Sequence, residues 1–582
     1  MALSRGLVRP AAFEPLAAGF LVVVAVAVTL HHVRDDAATT DEPVHLASSV
    51  EIVRQGTGRW NPEHPPLAKA LAGVALTGLA VDPAASPLGE RSHAPLLVRF
   101  LWKNLVPGER MLFRARVPFA LVLGALLLAL RAEARRRFGP RAGLLALALA
   151  ALDPNLLAHA GVVHTDLLVT LFVVLSLGPL DRLREPSARL SGVLLGLCWG
   201  LALLSKFSAP LLVAVTLPLL LVRGRPRGED LRRIGGRLCL AAAVSVAVVL
   251  AGYVAAHRNL TAADAKALAE DRLLRKGASP AAYRASTALS ELSPPASHAA
   301  TGFLSVLLQS GVGAGPVYLL GRVSTGGSPL YFPLALAVKV PIGLALAALA
   351  GALIRPGRRT ALGLSAGLLL FLLASTRTTY NIGVRHALFA FPFAALAASA
   401  LLAGDPPRRS RLLAAGLVAV SAAELALVHP YELSFVNAAA GGLPAGRRYF
   451  ADSNVDWGQD LVRLSRRAPE LSAEPLPAVV FGGDLPSRHA PALSAVAPGD
   501  EDRPGQLIAV GEVPLAVGPE LLASKGAARD AERLARLRDA LRSRGTRVAA
   551  VGGSIGIWRI DRPPAPEVSP PGTARRSGAP PP

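Results

Sequence analysis

Two short stretches near the start of the chain hold the residues best suited to chemistry: Asp41-Glu42-Pro43-Val44-His45 and Glu63-His64-Pro65-Pro66-Leu67. They follow the first apolar run, where a chain leaving a bilayer meets water. Carboxylates there can serve as bases, and the mixed set His45, Glu63 and His64 suits a divalent ion such as zinc or manganese. A cluster of ionisable groups at a membrane boundary is a candidate functional site. Asp41 opens a helix, with Pro43 tolerated in its first turn and His45 on the same face. The plain alternative is a helix cap and a solvated first turn, and hydrogen bonding also accounts for the histidines.

Further along, Asp166 ends the stretch Gly161-Val162-Val163-His164-Thr165-Asp166. It stands at the outer end of the fourth apolar run, on the same side as Asp41, so two acids from different helices can converge, although a lone acid there also reads as a cap. Lys206, in Leu204-Ser205-Lys206-Phe207-Ser208, interrupts two apolar runs joined by almost no loop, and Arg385-His386 opens the tenth run. Lys339 either snorkels or lies deeper in the bundle. Each cation alone can snorkel to lipid phosphates, whereas together, beside an apolar groove, they suit a lipid with a phosphodiester headgroup. Asp456 and Trp457 either line an acceptor side or pack an outer lobe against the membrane part.

The elements that must position these residues follow from composition. Of 582 residues, 52% are hydrophobic and 18% charged, and the mean hydropathy is +0.42, which marks an α-helical polytopic membrane protein. Eleven apolar runs approach the roughly 20 residues of a span, centred near Val23, Val122, Leu147, Phe172, Leu195, Ala214, Val246, Ala337, Gly367, Ala394 and Val418. The net charge of +22 does not imply nucleic acid, because arginines gather in alternate loops, among them Arg131 to Arg141, Arg182 to Arg189, Arg223 to Arg237 and Arg408 to Arg411. The positive-inside rule puts those loops and the N-terminus in the cytoplasm, with all the candidate acids on the far side of the plasma membrane. The first run reads as an uncleaved anchor. Cys198 and Cys239 fall within spans and imply neither a disulfide framework nor a metal site.

The membrane part is expected over 1–430, with a first outer loop at 34–110 and a large one at 257–328. Pro65 to Val81 reads as an interfacial helix. A small extracytoplasmic lobe, α/β or α+β, is expected over 431–562. Its strands are read at Ala478 to Phe481, Leu507 to Val510 and Val548 to Ile560, and an amphipathic helix at Ala527 to Ser543. The Pro-rich end, 563–582, reads as a disordered tail.

Taken in order, these residues resemble the GT-C superfamily of integral membrane glycosyltransferases, the group that contains protein O-mannosyltransferases and lipid A aminoarabinose transferases. Asp41-Glu42 is similar to the family's first-loop acidic motif, Glu63-His64-Pro65-Pro66-Leu67 to the sequence that follows it in many bacterial members, and Asp166 to its second acidic position. Ser205-Lys206-Phe207, Tyr331-Phe332-Pro333 with Lys339-Val340-Pro341, and Gly383-Val384-Arg385-His386 are similar to later signatures. The stretch from Asp452 to Asp460 resembles a motif of bacterial and archaeal relatives. The final lobe matches no such acceptor module and lacks a MIR-type repeat.

The resemblance implies a polyprenyl-phosphate-linked sugar donor and an acceptor that is a lipid, a glycan or a protein. It implies a single inverting displacement with Asp41 as base, Glu42 and Asp166 orienting the acceptor or a metal, and Lys206 and Arg385 holding phosphate, with His386 and Lys339 beside them. A divalent ion is the one cofactor to be considered, and membrane lipids are the other partners. A transporter or lipid flippase is the rival reading. Such folds often carry internal repeats and midplane sites, whereas no repeat is visible here and the acids cluster outside.

Overall fold

A computed structural model describes residues 10–83, 96–221, 228–313 and 315–562. The expected Pro-rich tail at 563–582 lies outside the described residues. The first apolar run becomes α1 (Pro10–His32), which ends on His31 and His32. Asp41 immediately precedes α2 (Glu42–Val50), every residue of which is buried. A π-helical turn continues α2 until Gly56, in the left-handed region at φ 71°, stops it. α3 (Pro66–Ala75) starts on Pro66, where a missing amide leaves no helical bond unmade.

α4 (Gly108–Phe138) is the longest helix and ends at Gly139, φ 99°. α5 (Pro140–Ala151) and α6 (Pro154–Ala160) are bent by 66° where Asp153 caps the second of them. There follow α7 (Asp166–Asp181), α8 (Ser191–Ser205), α9 (Ala209–Ala214) and α10 (Glu229–Ala256). The large outer loop folds as α11 (Ala262–Ala269), α12 (Pro280–Leu292), α13 (Pro294–Val312) and a hairpin of β1 (Val317–Leu319) and β2 (Arg322–Ser324). α14 (Tyr331–Lys339) and α15 (Ile342–Leu353) meet at 101° across Val340-Pro341, because Pro341 pushes Val340 into extended backbone. α16 (Arg355–Ser375), α17 (Ala390–Ser399) and α18 (Arg408–Val428) complete the bundle.

Each of the eleven apolar centres falls on a helix. Among the described residues, five helices are long and apolar enough to cross a membrane, α1, α4, α10, α16 and α18, and up to seven spans result if each bent pair counts as one. Some of the others are shorter where a polar residue or a proline interrupts them. Lys206, for example, separates α8 from α9 in extended backbone.

Residues 431–460, expected in the outer lobe, pack into the helical body instead. Phe435, Val436, Phe450 and Val455 belong to its main apolar core. After the single turn α19 (Gly446–Tyr449), the lobe runs from α20 (Leu461–Leu471). It contains β3 (Leu476–Val479), β4 (Leu493–Ala495), β5 (Leu507–Gly511), α21 (Glu512–Ser524), α22 (Ala528–Arg544), β6 (Gly545–Val551) and β7 (Ile555–Ile560). The five strands lie in the order β4-β3-β5-β7-β6, with β3 parallel to β4 and β5, and β7 antiparallel to β5 and β6. The run from Val548 to Ile560, read as one strand, is a hairpin because Gly552 (φ 57°) turns it. α22 buries Leu534, Leu537 and Leu541 against the sheet, as their spacing predicts.

Candidate active site

Asp41 holds the position of a helix cap but makes no cap hydrogen bond. Its Oδ2 accepts from Arg385 Nη1 at 3.1 Å and lies 3.7 Å from His164 Nε2. Burial pushes the acid upward, but His164 and Arg385 outweigh burial and hold it well below the usual carboxylate range. With 30% of its side chain exposed, Asp41 is far more open than Glu42, Glu63 or Asp166.

Arg385 Nη1 also donates to His164 Nε2 at 2.8 Å, so His164 carries its proton on Nδ1, which contacts Asp166. The other oxygen of Asp166 takes Lys206 Nζ, and Lys206 in turn approaches His386 Nδ1 at 3.4 Å. Asp41, His164, Asp166, Lys206, Arg385 and His386 thus form one continuous network drawn from four helix ends. Each belongs to a break in regular structure: the start of α2, the start of α7, the end of α8 and the short turn Val384–Ala387 before α17. Gly383 (φ 135°) admits that turn, and Ser453 leaves no room there for a Cβ.

Lys206 and His386 line a cavity of about 250 Å³, together with Glu63, His64 and Tyr380. Phe207, Leu211, Val306, Phe332 and Phe371 supply its apolar wall. Among the described residues, Arg385 Nε and His386 Nε2 are buried with no hydrogen-bond partner. Buried donors left unmatched are costly, and of these two residues His386 borders the cavity.

His45, His64 and His164 each bring a ring nitrogen within 4.8 Å of the other two. Asn61, in the left-handed region at φ 55°, accepts from His64 Nδ1 at 2.8 Å and meets His45 Nδ1 at 3.5 Å. Lys69 Nζ fixes the Asn61 carbonyl at 2.6 Å. Burial and neighbouring positive charge hold His45 and His64 well below the usual imidazole range, which keeps lone pairs available. Glu63, read together with His45 and His64 from sequence, is not in this group: its Oε1 is held by Arg272 at 3.0 Å and Lys276 at 3.4 Å from the large outer loop.

Three other expected site residues do not join the network. Glu42 is fully buried, and its two oxygens receive Arg116 Nε at 2.8 Å, Arg116 Nη2 at 2.6 Å, Thr39 N at 2.9 Å and Val163 N at 3.1 Å. A carboxylate with four donors has no lone pair left for a substrate. Lys339 Nζ donates to the carbonyls of Leu433 and Asn454 at 2.8 and 2.7 Å, so it ties residues 431–460 to the bundle. Asp456 accepts from Gly458 N and Val513 N at 3.1 and 3.0 Å and joins the lobe to the body. Burial pushes it up to about 8. Trp457 does reach the site, with Arg385 Cζ 4.2 Å from its ring centre.

Sequence reasoning missed Arg116, Asn61 and the central place of His164. Arg116 carried a signal, a charge within the 31-residue α4, and such a residue demands a buried partner. Asn61 carried none, because its role depends on a backbone conformation that only the folded loop imposes.

Acids and cations gathered at helix ends beside an apolar cavity, in a polytopic helical bundle, are attributes of a membrane-embedded transferase. Residues 94–253 match the family model described as dolichyl-phosphate-mannose-protein mannosyltransferase, a stretch that carries Asp166 and Lys206. Over those residues the match bears out the resemblance to the GT-C membrane glycosyltransferases. No curated protein matches the chain. Solved structures similar to it include ArnT from Cupriavidus metallidurans bound to undecaprenyl phosphate, at 14% identity over 94% of this chain and 99% of that one, TM-score 0.33. The Saccharomyces cerevisiae protein O-mannosyltransferase Pmt1-Pmt2 complex bound to the sugar donor is similar at 17% identity over 43% of this chain and 34% of that one, TM-score 0.32. The Archaeoglobus fulgidus oligosaccharyltransferase in the apo form is similar at 15% identity over 70% and 56%, TM-score 0.40.

Proposed function

We propose that the protein transfers a glycosyl unit from a polyprenyl-phosphate-linked donor to an acceptor hydroxyl or amine by a single inverting displacement. The observation that carries this reading is the cavity, whose lining sets Lys206 and His386 beside a largely apolar wall. That pairing suits a phosphate on a hydrophobic chain. The family model over residues 94–253 is named for a polyprenyl-phosphate sugar of this kind.

In this reading Lys206, Arg385 and His386 take the phosphate, and their charge stabilises it as it departs. Asp41, the most open acid of the network and ionised, removes the acceptor proton. Asp166 fixes Lys206 and His164 in place. The histidine set fits a divalent ion, since His45 and His64 are neutral and the carboxylate behind His164 has the form of an outer-shell partner. Such an ion, held by His45, His64 and by His164 once Arg385 Nη1 gives up its Nε2, would supply electrostatic stabilisation of negative charge near Asp41.

The arginine-rich loops favour eleven crossings, with the N-terminus in the cytoplasm and the site and C-terminal lobe on the extracytoplasmic face of the plasma membrane. The acceptor there is a lipid, a glycan or a protein.

The test is to incubate polyprenyl-phosphate sugars with reconstituted wild type and Asp41→Asn, with host membrane extract as acceptor source, and to follow released polyprenyl phosphate by mass spectrometry. Release by wild type alone is expected. Folded wild type that releases none from any donor tried would overturn the reading.

A further inference from the structure

The segment Asp452–Asp460 crosses the site between the turn that carries Arg385 and the loop that carries Asp41. On one side Asn454 Oδ1 accepts from Val384 N at 2.7 Å, and Ser453 Oγ donates to the Ile382 carbonyl. On the other, Thr40 N donates to the Trp457 carbonyl at 3.2 Å and Ala37 N to the Gln459 carbonyl at 2.8 Å. One short stretch of backbone therefore sets the distance between the two halves of the site.

At its centre lies Trp457, 3% exposed, too enclosed to meet an acceptor. Its ring centre is 4.2 Å from Arg385 Cζ, and its edge packs against His164 at 5.3 Å and His159 at 6.1 Å between ring centres. Arg385 is anchored to the site through Nη1 alone, to Asp41 and His164, while its buried Nε has no partner among the described residues. Held at Nη1 and through the Cδ–Nε bond, the guanidinium plane can still tilt about the line between those two points. An aromatic face against its plane removes the freedom, since cations prefer the electron-rich face of an indole.

We infer that Trp457 is a positioning residue for the donor phosphate: it holds the plane of Arg385 so that the unpartnered Nε–H is presented to the phosphate oxygen. The inference rests on the reading of Arg385 as a phosphate-binding group. Trp457 acts through Arg385 and belongs to the donor side of the reaction, not to the acceptor side.

The experiment measures the affinity of undecaprenyl phosphate for the purified full-length protein in detergent, comparing wild type, Trp457→Phe, Trp457→Leu, Arg385→Lys and the double variant Trp457→Leu/Arg385→Lys. Thermal unfolding of each variant establishes that it is folded. Trp457→Leu is expected to weaken binding about tenfold and Trp457→Phe, which keeps an aromatic face, about threefold. In the Arg385→Lys background, the leucine substitution should add less than about twofold, because the planar partner is already gone. The ligand-induced change in tryptophan fluorescence should vanish in Trp457→Phe. Unchanged affinity in Trp457→Leu, or an equal loss with and without Arg385, would overturn the inference while leaving the donor reading intact. Wild type that fails to bind undecaprenyl phosphate would overturn the donor reading and this inference with it.

Discussion

Arg385 and Asp41 stand 344 positions apart in the chain and meet at 3.1 Å. The pair joins the cation assigned to the donor phosphate to the acid assigned to the acceptor, so the cation helps keep the acid ionised. Asp41 is kept ionised across the neutral range by His164 and Arg385 against the upward push of burial.

Asp41→Asn should lower transfer by about 10²–10⁴, the usual share of a general base, and leave undecaprenyl phosphate binding within about threefold of wild type. Removing the cation raises the acid's affinity for a proton, so Arg385→Gln should move the acidic limb of the pH–rate profile to higher pH. A limb that stays in place would take Asp41 out of the role of base.

Lys206 and Asp166 form a buried ion pair, 10% and 2% exposed. Lys206→Met strands a buried carboxylate, which costs about 3–5 kcal/mol and should appear as a lowered Tm. Adding Asp166→Asn removes the stranded charge and should restore part of that Tm. Lipid binding should stay weak in both variants, which separates the role of the lysine at the phosphate from its role in stability.

The Glu42–Arg116 pair is buried more deeply still, at 0% and 1% exposed. Arg116 also donates to the carbonyls of Val33, Asp36 and Ala37 at 3.2, 2.8 and 2.9 Å, so it clamps the loop leading to Asp41. Glu42→Gln is expected to cost about 3–5 kcal/mol in stability, read by thermal unfolding. The fraction that folds should retain transfer within about tenfold. A fully stable but inactive Glu42→Gln would return Glu42 to the chemistry.

Protein purified without chelators should carry about one zinc-like ion per chain by elemental analysis. His64→Ala should lose it and Glu63→Gln should keep it, because Glu63 is committed to Arg272 and Lys276. Ion retained by His64→Ala and lost by Glu63→Gln would restore the set read from sequence.

His257 and His298 stack at 4.0 Å between ring centres and hold the carbonyls of Thr57 and Gly58, each at 2.8 Å. They fasten the large outer loop to the first. Burial lowers His257 to about 4 and His298 well below its usual range, so the folded state resists protons that the unfolded chain accepts near pH 6.5. Stability is therefore complete above about pH 6.5 and is lost as pH falls through about 4. His298→Phe should flatten that slope between pH 6.5 and 4 in thermal unfolding.

Much of this protein was legible in its sequence because water and lipid impose simple rules. Apolar runs must be helical in a bilayer, since no solvent satisfies their amides. Arginine-rich loops suggest which side is which, and Leu534, Leu537 and Leu541 at helical spacing foretold α22. Asp41, Asp166, Lys206 and Arg385 were recognisable as ionisable groups stranded at span ends. Their partnership was not, because hydropathy and spacing do not say which ends meet. Glu42 and Asp41 are neighbours in sequence and look equivalent, yet helix direction turns one into the core toward Arg116 and the other toward Arg385 and His164. Lys339 resembles Lys206 on paper, but the bend at Pro341 and the inward course of residues 431–460 bury it against backbone carbonyls. The grouping of histidines was hidden for the same reason: His164 is brought to His45 and His64 only by the assembled bundle.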